Sequence, residues 1–271
     1  MSTESMPSAV AQYTWQNAGD LRFLGWPALT GLGASAVVST REAGNLGLHV
    51  GDDPAAVLAN RATMAAALGH DLQDFVFAAQ AHGPHVTVVG EQDRGRGATS
   101  PDQAVAQTDA LVTATPGLVL AVLVADCVPI VLVEPENRLL AAVHAGWRGT
   151  VTGVTSAAVE QIRRLGGDPA NIVACIGPAI HPDRYQVGED VLDAATVAFG
   201  SESPAVISPD GTGRWRFDLW QANTRLLRRE GVPAGQIHVA DLDTGPSTPF
   251  YSHRGETPSG RFGLFAWLEP R

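Results

Sequence analysis

Three side chains at the ends of predicted strands could together bind a metal ion. They are His82, Cys127 and His144, and each follows an apolar run. Short apolar runs bounded by turn residues are typical of buried strands. The runs that precede or separate the three side chains are 75–79, 118–124, 130–133 and 139–143.

Two imidazoles and a thiolate suit Zn²⁺. Three protein ligands leave the fourth tetrahedral position for water or substrate, as in catalytic zinc sites. The wide spacing gives no local metal-binding motif, so the residues alone leave two other interpretations open. Cys127 could be a small buried side chain, with His82 and His144 as ordinary loop residues. Alternatively, Cys127 and His144 could be the nucleophile and base of a metal-independent hydrolase.

Neighbouring charged residues extend this candidate site. Asp126 could act as a general acid or base or orient a histidine, although adjacent strand residues point to opposite faces. Arg41 and Arg148 could bind a phosphate or a carboxylate. The chain turns after His144 into a helix predicted over 150–165, whose N-terminus would favour an anion beside His144.

The elements that position these residues predict an α+β fold. Helices are predicted over 54–68, 150–165, 188–199 and 217–231, with Asp53 and Asp218 as N-caps. Further strands are predicted over 21–24, 34–39, 86–89, 108–113, 172–176, 237–240 and 262–268, and 40–51 is a long glycine-containing loop. Several strands occur in succession, which favours a layered architecture with mixed sheets. We expect residues 1–20 to be frayed and 21–271 to form one domain.

Composition restricts the class of partner. A net charge of −10 argues against nucleic acid and anionic membranes, because both require clustered basic residues. Two cysteines are too few for a disulfide framework and fit a reducing compartment. Residues 1–12 lack the pattern of a signal peptide, and no apolar stretch is long enough to span a membrane. We therefore expect a cytoplasmic monomer or homodimer that acts on a small molecule.

Six motifs, in order along the chain, resemble the laccase-domain family, also described as polyphenol-oxidase-like proteins and as purine nucleoside phosphorylases. They are Asn-Leu-Gly-Leu-His-Val-Gly-Asp at 45–52, Gln-Ala-His-Gly at 80–83, Ala-Asp-Cys at 125–127, His-Ala-Gly-Trp-Arg-Gly at 144–149, Gly-Pro-Ala-Ile at 177–180 and Phe-Tyr-Ser-His-Arg at 250–254. The resemblance implies that His82, Cys127 and His144 bind a single zinc ion. It also implies a single layered α/β/β/α domain.

The implied activity is phosphorolysis of adenosine, inosine and S-methyl-5'-thioadenosine by phosphate, with some adenosine deamination. The residues predicted to be catalytic are Cys127, His144, Asp126 and Arg148, and those predicted to contact substrate or phosphate are Arg41, Asn45 and Arg148. Family members often have cysteine where this chain has Asp243, and a second arginine where it has Gly255. The part that the last loop plays in substrate binding therefore stays open.

Copper oxidase chemistry is not expected. A multicopper oxidase needs a blue-copper site, usually with an axial methionine, and a further copper cluster bound by closely paired histidines. The three methionines, Met1, Met6 and Met64, lie outside the motifs, and the eight histidines include no His-x-His pair. Zinc is therefore the predicted metal.

Overall fold

Two six-stranded sheets pack face to face and carry helices on their outer faces. The computed structural model describes residues 12–270, which form fifteen strands and five α-helices. The strands are β1 (Thr14–Ala18), β2 (Leu21–Gly25), β3 (Ala34–Ser39), β4 (Phe75–Phe77), β5 (Val86–Val88), β6 (Ala110–Thr113), β7 (Val119–Val124), β8 (Val128–Glu134), β9 (Leu139–Ala145), β10 (Val173–Ile176), β11 (Gln186–Val187), β12 (Ile207–Pro209), β13 (Trp215–Phe217), β14 (Ile237–Val239) and β15 (Phe262–Leu268). The helices are α1 (Pro54–Ala67), α2 (Trp147–Val151), α3 (Val154–Arg164), α4 (Glu189–Phe199) and α5 (Leu219–Arg229).

Both large sheets are mixed. The first has the order β1-β2-β3-β15-β7-β4 and the second the order β14-β10-β8-β9-β6-β5. Strands β4 and β7 pair in parallel in the first sheet, as do β5 with β6 and β10 with β14 in the second. The central pairs, β7 with β15 and β8 with β9, are antiparallel.

Strand pleating divides the core into layers. Val131 and Val133 of β8 belong to the cluster between the two sheets, whereas Ile130 and Leu132 belong to the cluster beneath α3, α4 and α5. On the other side, Met64 of α1 packs on the outer face of the first sheet. The structure therefore confirms the predicted α+β, layered, single-domain fold.

Three local predictions differ from the structure. Residues 14–18 were expected to be frayed but form the edge strand β1, because their backbone pairs with β2 although their side chains are mostly exposed. The part of that prediction on residues 1–11 lies outside the described residues. The helix predicted over 150–165 is two helices, α2 and α3, interrupted at Gly153 with a left-handed φ of +87°. A small sheet of β11, β13 and β12 was not predicted, since strands of two or three residues show no periodicity.

Between residues 12 and 270, no helix combines the length and the apolar character that crossing a membrane requires.

Candidate metal centre

The ligand atoms of His82, Cys127 and His144 all lie within 4.8 Å of one another. The Cys127 Sγ is 3.8 Å from His82 Nε2, and the two imidazole ring centroids are 4.7 Å apart. The register of the β8–β9 hairpin explains part of this convergence: Val128 pairs with Ala145 and Pro129 with His144, so Cys127 enters β8 where His144 lies near the end of β9.

His82 reaches the same point from the first sheet. Strands β4 and β7 run parallel, so the chains that follow them leave the sheet at the same end. The chain after β4 carries His82, and the chain after β7 crosses to β8 through Cys127. The centre therefore lies where the two sheets are connected, and it takes ligands from both sides of that connection.

Asp109 positions both histidines, and sequence reasoning missed it. Its buried carboxylate accepts a hydrogen bond from His144 Nδ1 at 2.8 Å. It also accepts the backbone N–H groups of Ala81, His82 and Gly83 at 2.8 to 3.2 Å, which fixes the loop where His82 has a left-handed φ of 59°. Bonding at Nδ1 leaves the Nε2 of His144 for the centre, the arrangement in which a carboxylate orients a metal-binding histidine.

The surroundings of Cys127 and His144 shift the pKa values of both side chains. Burial raises the pKa of the Cys127 thiol, but His144 and His82 outweigh it and lower this pKa to about 6. Burial lowers the pKa of His144, but Cys127 and Asp109 outweigh it and raise this pKa to about 9. In contrast, burial alone raises the pKa of Cys175, a fully buried residue of β10. The site thus favours a thiolate at Cys127, the form of cysteine that binds metals.

Asp126 is fully engaged by the chain itself. It has a left-handed φ of 84°, and its Oδ1 accepts the Thr244 hydroxyl at 2.6 Å. Its Oδ2 accepts the backbone N–H of Arg254 at 2.6 Å. Both oxygens of the predicted acid or base therefore hold residues 244–256, which we call the closing segment. Asp126 is a positioning residue in this structure.

Arg41 holds the same closing segment. Its guanidinium donates to backbone oxygens of that segment at 2.9 to 3.1 Å, namely those of Gly245, Thr248 and Phe250. It also pairs with Glu256 at 3.2 Å and lies over the ring of Tyr251, 4.7 Å from its centroid. A phosphate at Arg41 would have to compete with Glu256. The structure thus gives this predicted phosphate ligand another role.

Asn45 and Arg148 differ in their freedom to meet a ligand. Asn45 Oδ1 accepts the N–H groups of Gly47 and Arg261 at 2.9 and 2.8 Å, and Asn45 Nδ2 donates to Asp52 at 3.1 Å, so the amide shapes its own loop. Arg148 is exposed and stacks on Trp147, with its Cζ 4.9 Å from the ring centroid. The single long helix predicted after His144 is not formed, because α2 has only five residues.

Two further residues border the centre without a motif that marks them. Burial raises the pKa of Tyr185, the charge on Cys127 raises it further, and Arg254 opposes this rise. The Arg254 Cζ lies 5.3 Å from the Tyr185 ring centroid. Burial lowers the pKa of Arg261, and the charges on Cys127 and Asp126 oppose that fall. Both side chains are thus close enough to Cys127 for its charge to act on them.

The two departures from the family pattern have structural roles. The Asp243 carboxylate pairs with Arg184 at 2.8 Å and accepts the backbone N–H of His181 at 2.8 Å, so it ties two loops together. At Gly255, a Cβ would lie 3.0 Å from atoms of both Pro246 and Ser252. A larger residue there would require the closing segment to shift.

Over residues 12–270, His82, Cys127 and His144 are the one group of His, Cys, Asp or Glu side chains whose ligand atoms could hold a metal ion. A multicopper oxidase needs a further copper cluster. Met64 is fully buried on the outer face of the first sheet and provides no axial ligand. The donor set therefore fits a single metal ion such as zinc and does not fit multicopper chemistry.

Comparison with known proteins finds one matching family and several similar proteins. Residues 32–269 match the family described as multi-copper polyphenol oxidoreductase laccase. A purine nucleoside phosphorylase of Streptomyces coelicolor is 41% identical over 226 residues, which cover 83% of this chain and 88% of that protein. Adenosine deaminase RL5, from an unknown prokaryotic organism, is 41% identical over 193 residues, which cover 71% of this chain and 74% of RL5. The crystal structure of YlmD from Geobacillus stearothermophilus superposes with a TM-score of 0.90 at 34% identity and covers 96% of this chain and 100% of YlmD.

Proposed function

The chain belongs to the family described as multi-copper polyphenol oxidoreductase laccase, and from this membership we propose that it is an enzyme of purine nucleoside metabolism. The proposed reaction is zinc-dependent phosphorolysis of adenosine, inosine and S-methyl-5'-thioadenosine. Adenosine deamination is the proposed side activity. The relatives named purine nucleoside phosphorylase and adenosine deaminase support both reactions. A cytoplasmic location belongs to the same proposal.

The convergence of His82, Cys127 and His144 carries this proposal. Their donor atoms lie within 4.8 Å of one another, and Asp109 holds both histidines in place. His82, Cys127 and His144 would be the metal ligands and would hold the zinc ion, which would supply Lewis acidity to a bound substrate. Asp109 orients the two histidines.

Phosphorolysis consists of three bond changes. A phosphate oxygen attacks C1′ of the ribose, the bond from C1′ to the purine nitrogen breaks, and the departing purine takes up a proton. Phosphate must therefore be held beside the ribose, and a donor must face the purine. We assign the donor role to Tyr185, a buried phenol whose ring centroid lies 5.3 Å from the Arg254 Cζ. Arg148, exposed and stacked on Trp147, is the proposed contact at the rim.

A second function has one observation in its favour. Cys127, His144 and Asp109 follow the order nucleophile, base and orienting carboxylate that a metal-independent Cys-His hydrolase uses. This alternative leaves His82 without a role, although the fold brings its Nε2 to 3.8 Å from Cys127 Sγ. For that reason the zinc enzyme is the preferred proposal.

The test combines metal analysis with product analysis on one purified sample. We expect about one zinc ion per chain. With adenosine and phosphate the products should be adenine and ribose 1-phosphate, with inosine from the side activity. Chelator treatment should abolish turnover, and added zinc should restore it. Cys127→Ala should lose zinc, whereas the matched control Cys175→Ala should keep it.

The two candidate functions predict opposite results for the metal-free protein. Full activity after removal of zinc, together with a covalent adduct of a thiol alkylator at Cys127, would support the hydrolase and contradict the zinc enzyme. Full zinc content in Cys127→Ala would show that the proposed ligand set is wrong.

A further inference from the structure

Arg261 lies next to the end of the first sheet from which the chain continues to Cys127. Phe262, the first residue of β15, pairs with Val124, the last residue of β7. Because the pairing is antiparallel, Arg261 lies beside the segment that continues from Val124 into Asp126 and Cys127. The fold thus brings a basic side chain from the end of the sequence to the centre.

The backbone and stem of Arg261 are held in place. Its N–H donates to Asn45 Oδ1 at 2.8 Å. Its Cβ and Cγ lie against Gly47, where an added Cβ would be 2.9 Å from Arg261 Cγ. The motif at 45–52 therefore positions Arg261. Because the Asn45 amide makes these hydrogen bonds within the chain, it has no free group with which to bind a substrate.

The Arg261 guanidinium bonds the described residues through only one of its three nitrogen atoms. Nη1 donates to the carbonyl oxygens of Ser259 and Gly260 at 3.0 and 2.9 Å. Among residues 12–270, no acceptor bonds its Nε or Nη2, and no carboxylate lies within ion-pair distance of this side chain. A partly buried cation without a paired carboxylate is costly, and the charges on Cys127 and Asp126 offset only part of that cost, so a bound anion would stabilise Arg261 further.

A second uncompensated cation acts on the same loop. Arg61 is 3% exposed, and its described partners are the carbonyl oxygens of Leu46, Gly97 and Ala98. Burial lowers the pKa of His49, and the charges of Arg261 and Arg61 lower it further. In a protein of net charge −10, these two arginines bring positive charge to the 45–52 loop, whose own carboxylate, Asp52, accepts a hydrogen bond from Asn45.

The other arginines near the centre are less suited to an anion. Arg41 is neutralised by Glu256 and occupied by the closing segment. Arg254 is exposed and donates to the Gln186 carbonyl. Arg148 is exposed, and the one partner of its side chain among residues 12–270 is the Trp147 ring. Arg261 differs from the other three because it is partly buried, has a fixed stem and, among residues 12–270, pairs with no carboxylate.

We propose that Arg261 binds the phosphate co-substrate beside the metal centre, with Arg61 adding to the local positive field. This inference rests on the proposed phosphorylase function for the role of the anion. It assigns the phosphate subsite to the contact between the 45–52 loop and the start of β15, in place of Arg41. A planar guanidinium with two unpaired nitrogen atoms can bond two phosphate oxygens at once.

Binding of inorganic phosphate alone tests the proposal. Isothermal titration of the zinc-loaded protein with phosphate should give an affinity that Arg261→Gln weakens by about tenfold or more, because a charge-assisted pair is lost. Arg261→Lys, which keeps the charge but not the planar group, should lose less. Arg228→Ala removes an exposed arginine outside the site and should leave the affinity unchanged. Zinc content and thermal unfolding verify that each variant is folded.

The outcomes separate this inference from the proposed function. In turnover assays, Arg261→Gln should raise the KM for phosphate and leave the KM for adenosine nearly unchanged. Phosphorolysis with an unchanged phosphate KM in this variant would retain the function and overturn the subsite. Phosphate binding that depends on Arg261 in a protein without phosphorolysis would retain the subsite and overturn the function. Loss of phosphate binding in Arg41→Ala but not in Arg261→Gln or Arg261→Lys would also overturn the subsite.

Discussion

Gly146 provides the space in which the ligands of the candidate centre meet. A Cβ at this position would lie 2.9 Å from Cys127 Sγ and 2.9 Å from His82 Cδ2. Gly146 has an ordinary extended backbone and precedes α2. The site therefore does not depend on the ability of glycine to adopt a left-handed backbone conformation. The absence of a side chain at Gly146 is therefore as important for the centre as the identity of the ligands.

Gly146→Ala should therefore weaken metal binding while the fold persists. The methyl group must push Cys127 or His82 away from its position, and displaced metal ligands cost roughly tenfold or more in affinity. Competition with a chromogenic zinc chelator measures this change. Gly235→Ala is the matched control, because an added Cβ there meets no atom within 4 Å. Unchanged zinc affinity in Gly146→Ala would contradict the crowding argument.

The closing segment, 244–256, is an element without regular secondary structure, and two side chains outside it, Asp126 and Arg41, make several of its contacts. Asp126 accepts from Thr244 and from the backbone of Arg254, near its two ends. Arg41 satisfies three backbone carbonyl groups in its middle and pairs with Glu256. Because Asp126 adjoins Cys127, the position of the segment is coupled to the metal centre.

Arg41→Ala should loosen the closing segment and leave zinc in place. The variant removes hydrogen bonds from a charged donor, each contributing about 1.5–3 kcal/mol, and the freed carbonyl groups must turn to water. Hydrogen exchange of residues 244–256 should become faster, as local opening requires less free energy. Arg228→Ala should not alter exchange in this segment. If exchange in the Arg41 variant matches that of the unmodified protein, the segment has other anchors.

The whole molecule is stabilised by the layer between the two sheets. Leu120 of β7 is fully buried in this layer, together with residues of β8, β9 and β15. Since β7 and β8 are also the strands on either side of Cys127, the layer that stabilises the fold also fixes the geometry of the centre. Packing in this layer and the alignment of the ligands are therefore linked.

Leu120→Ala should destabilise the entire domain. Removing a fully buried leucine side chain leaves a cavity, which costs about 2–5 kcal/mol in the free energy of unfolding. Urea denaturation followed by tryptophan fluorescence measures this change. Val197→Ala is the control: Val197 is 88% exposed, so its truncation should change the stability by no more than about 0.5 kcal/mol. A loss below about 1 kcal/mol for Leu120→Ala would mean that the layer closes around the cavity.

The sequence by itself determined the features that depend on neighbouring residues. Apolar runs predicted the buried strands, because a buried strand needs apolar side chains on both faces. Asp53 and Asp218 were predicted as N-caps and do accept the N–H groups of Ala55 and Gln221, since capping needs partners only two or three residues away. Strand ends also located Cys127 and His144, whose contact follows from one hairpin.

Only the tertiary structure decided which distant side chains share an environment. Asp109 meets His82 and His144, and Arg261 lies next to the end of β7 from which the chain continues to Cys127, because strand pairing within each sheet brings these segments together. The same pairing turned residues 14–18 into a strand despite their exposed side chains. Likewise, the family resemblance predicted that Arg41 binds phosphate or substrate, but the closing segment occupies its side chain. A hydrogen bond or charge pair between residues far apart in the chain depends on register and burial, and local sequence specifies neither.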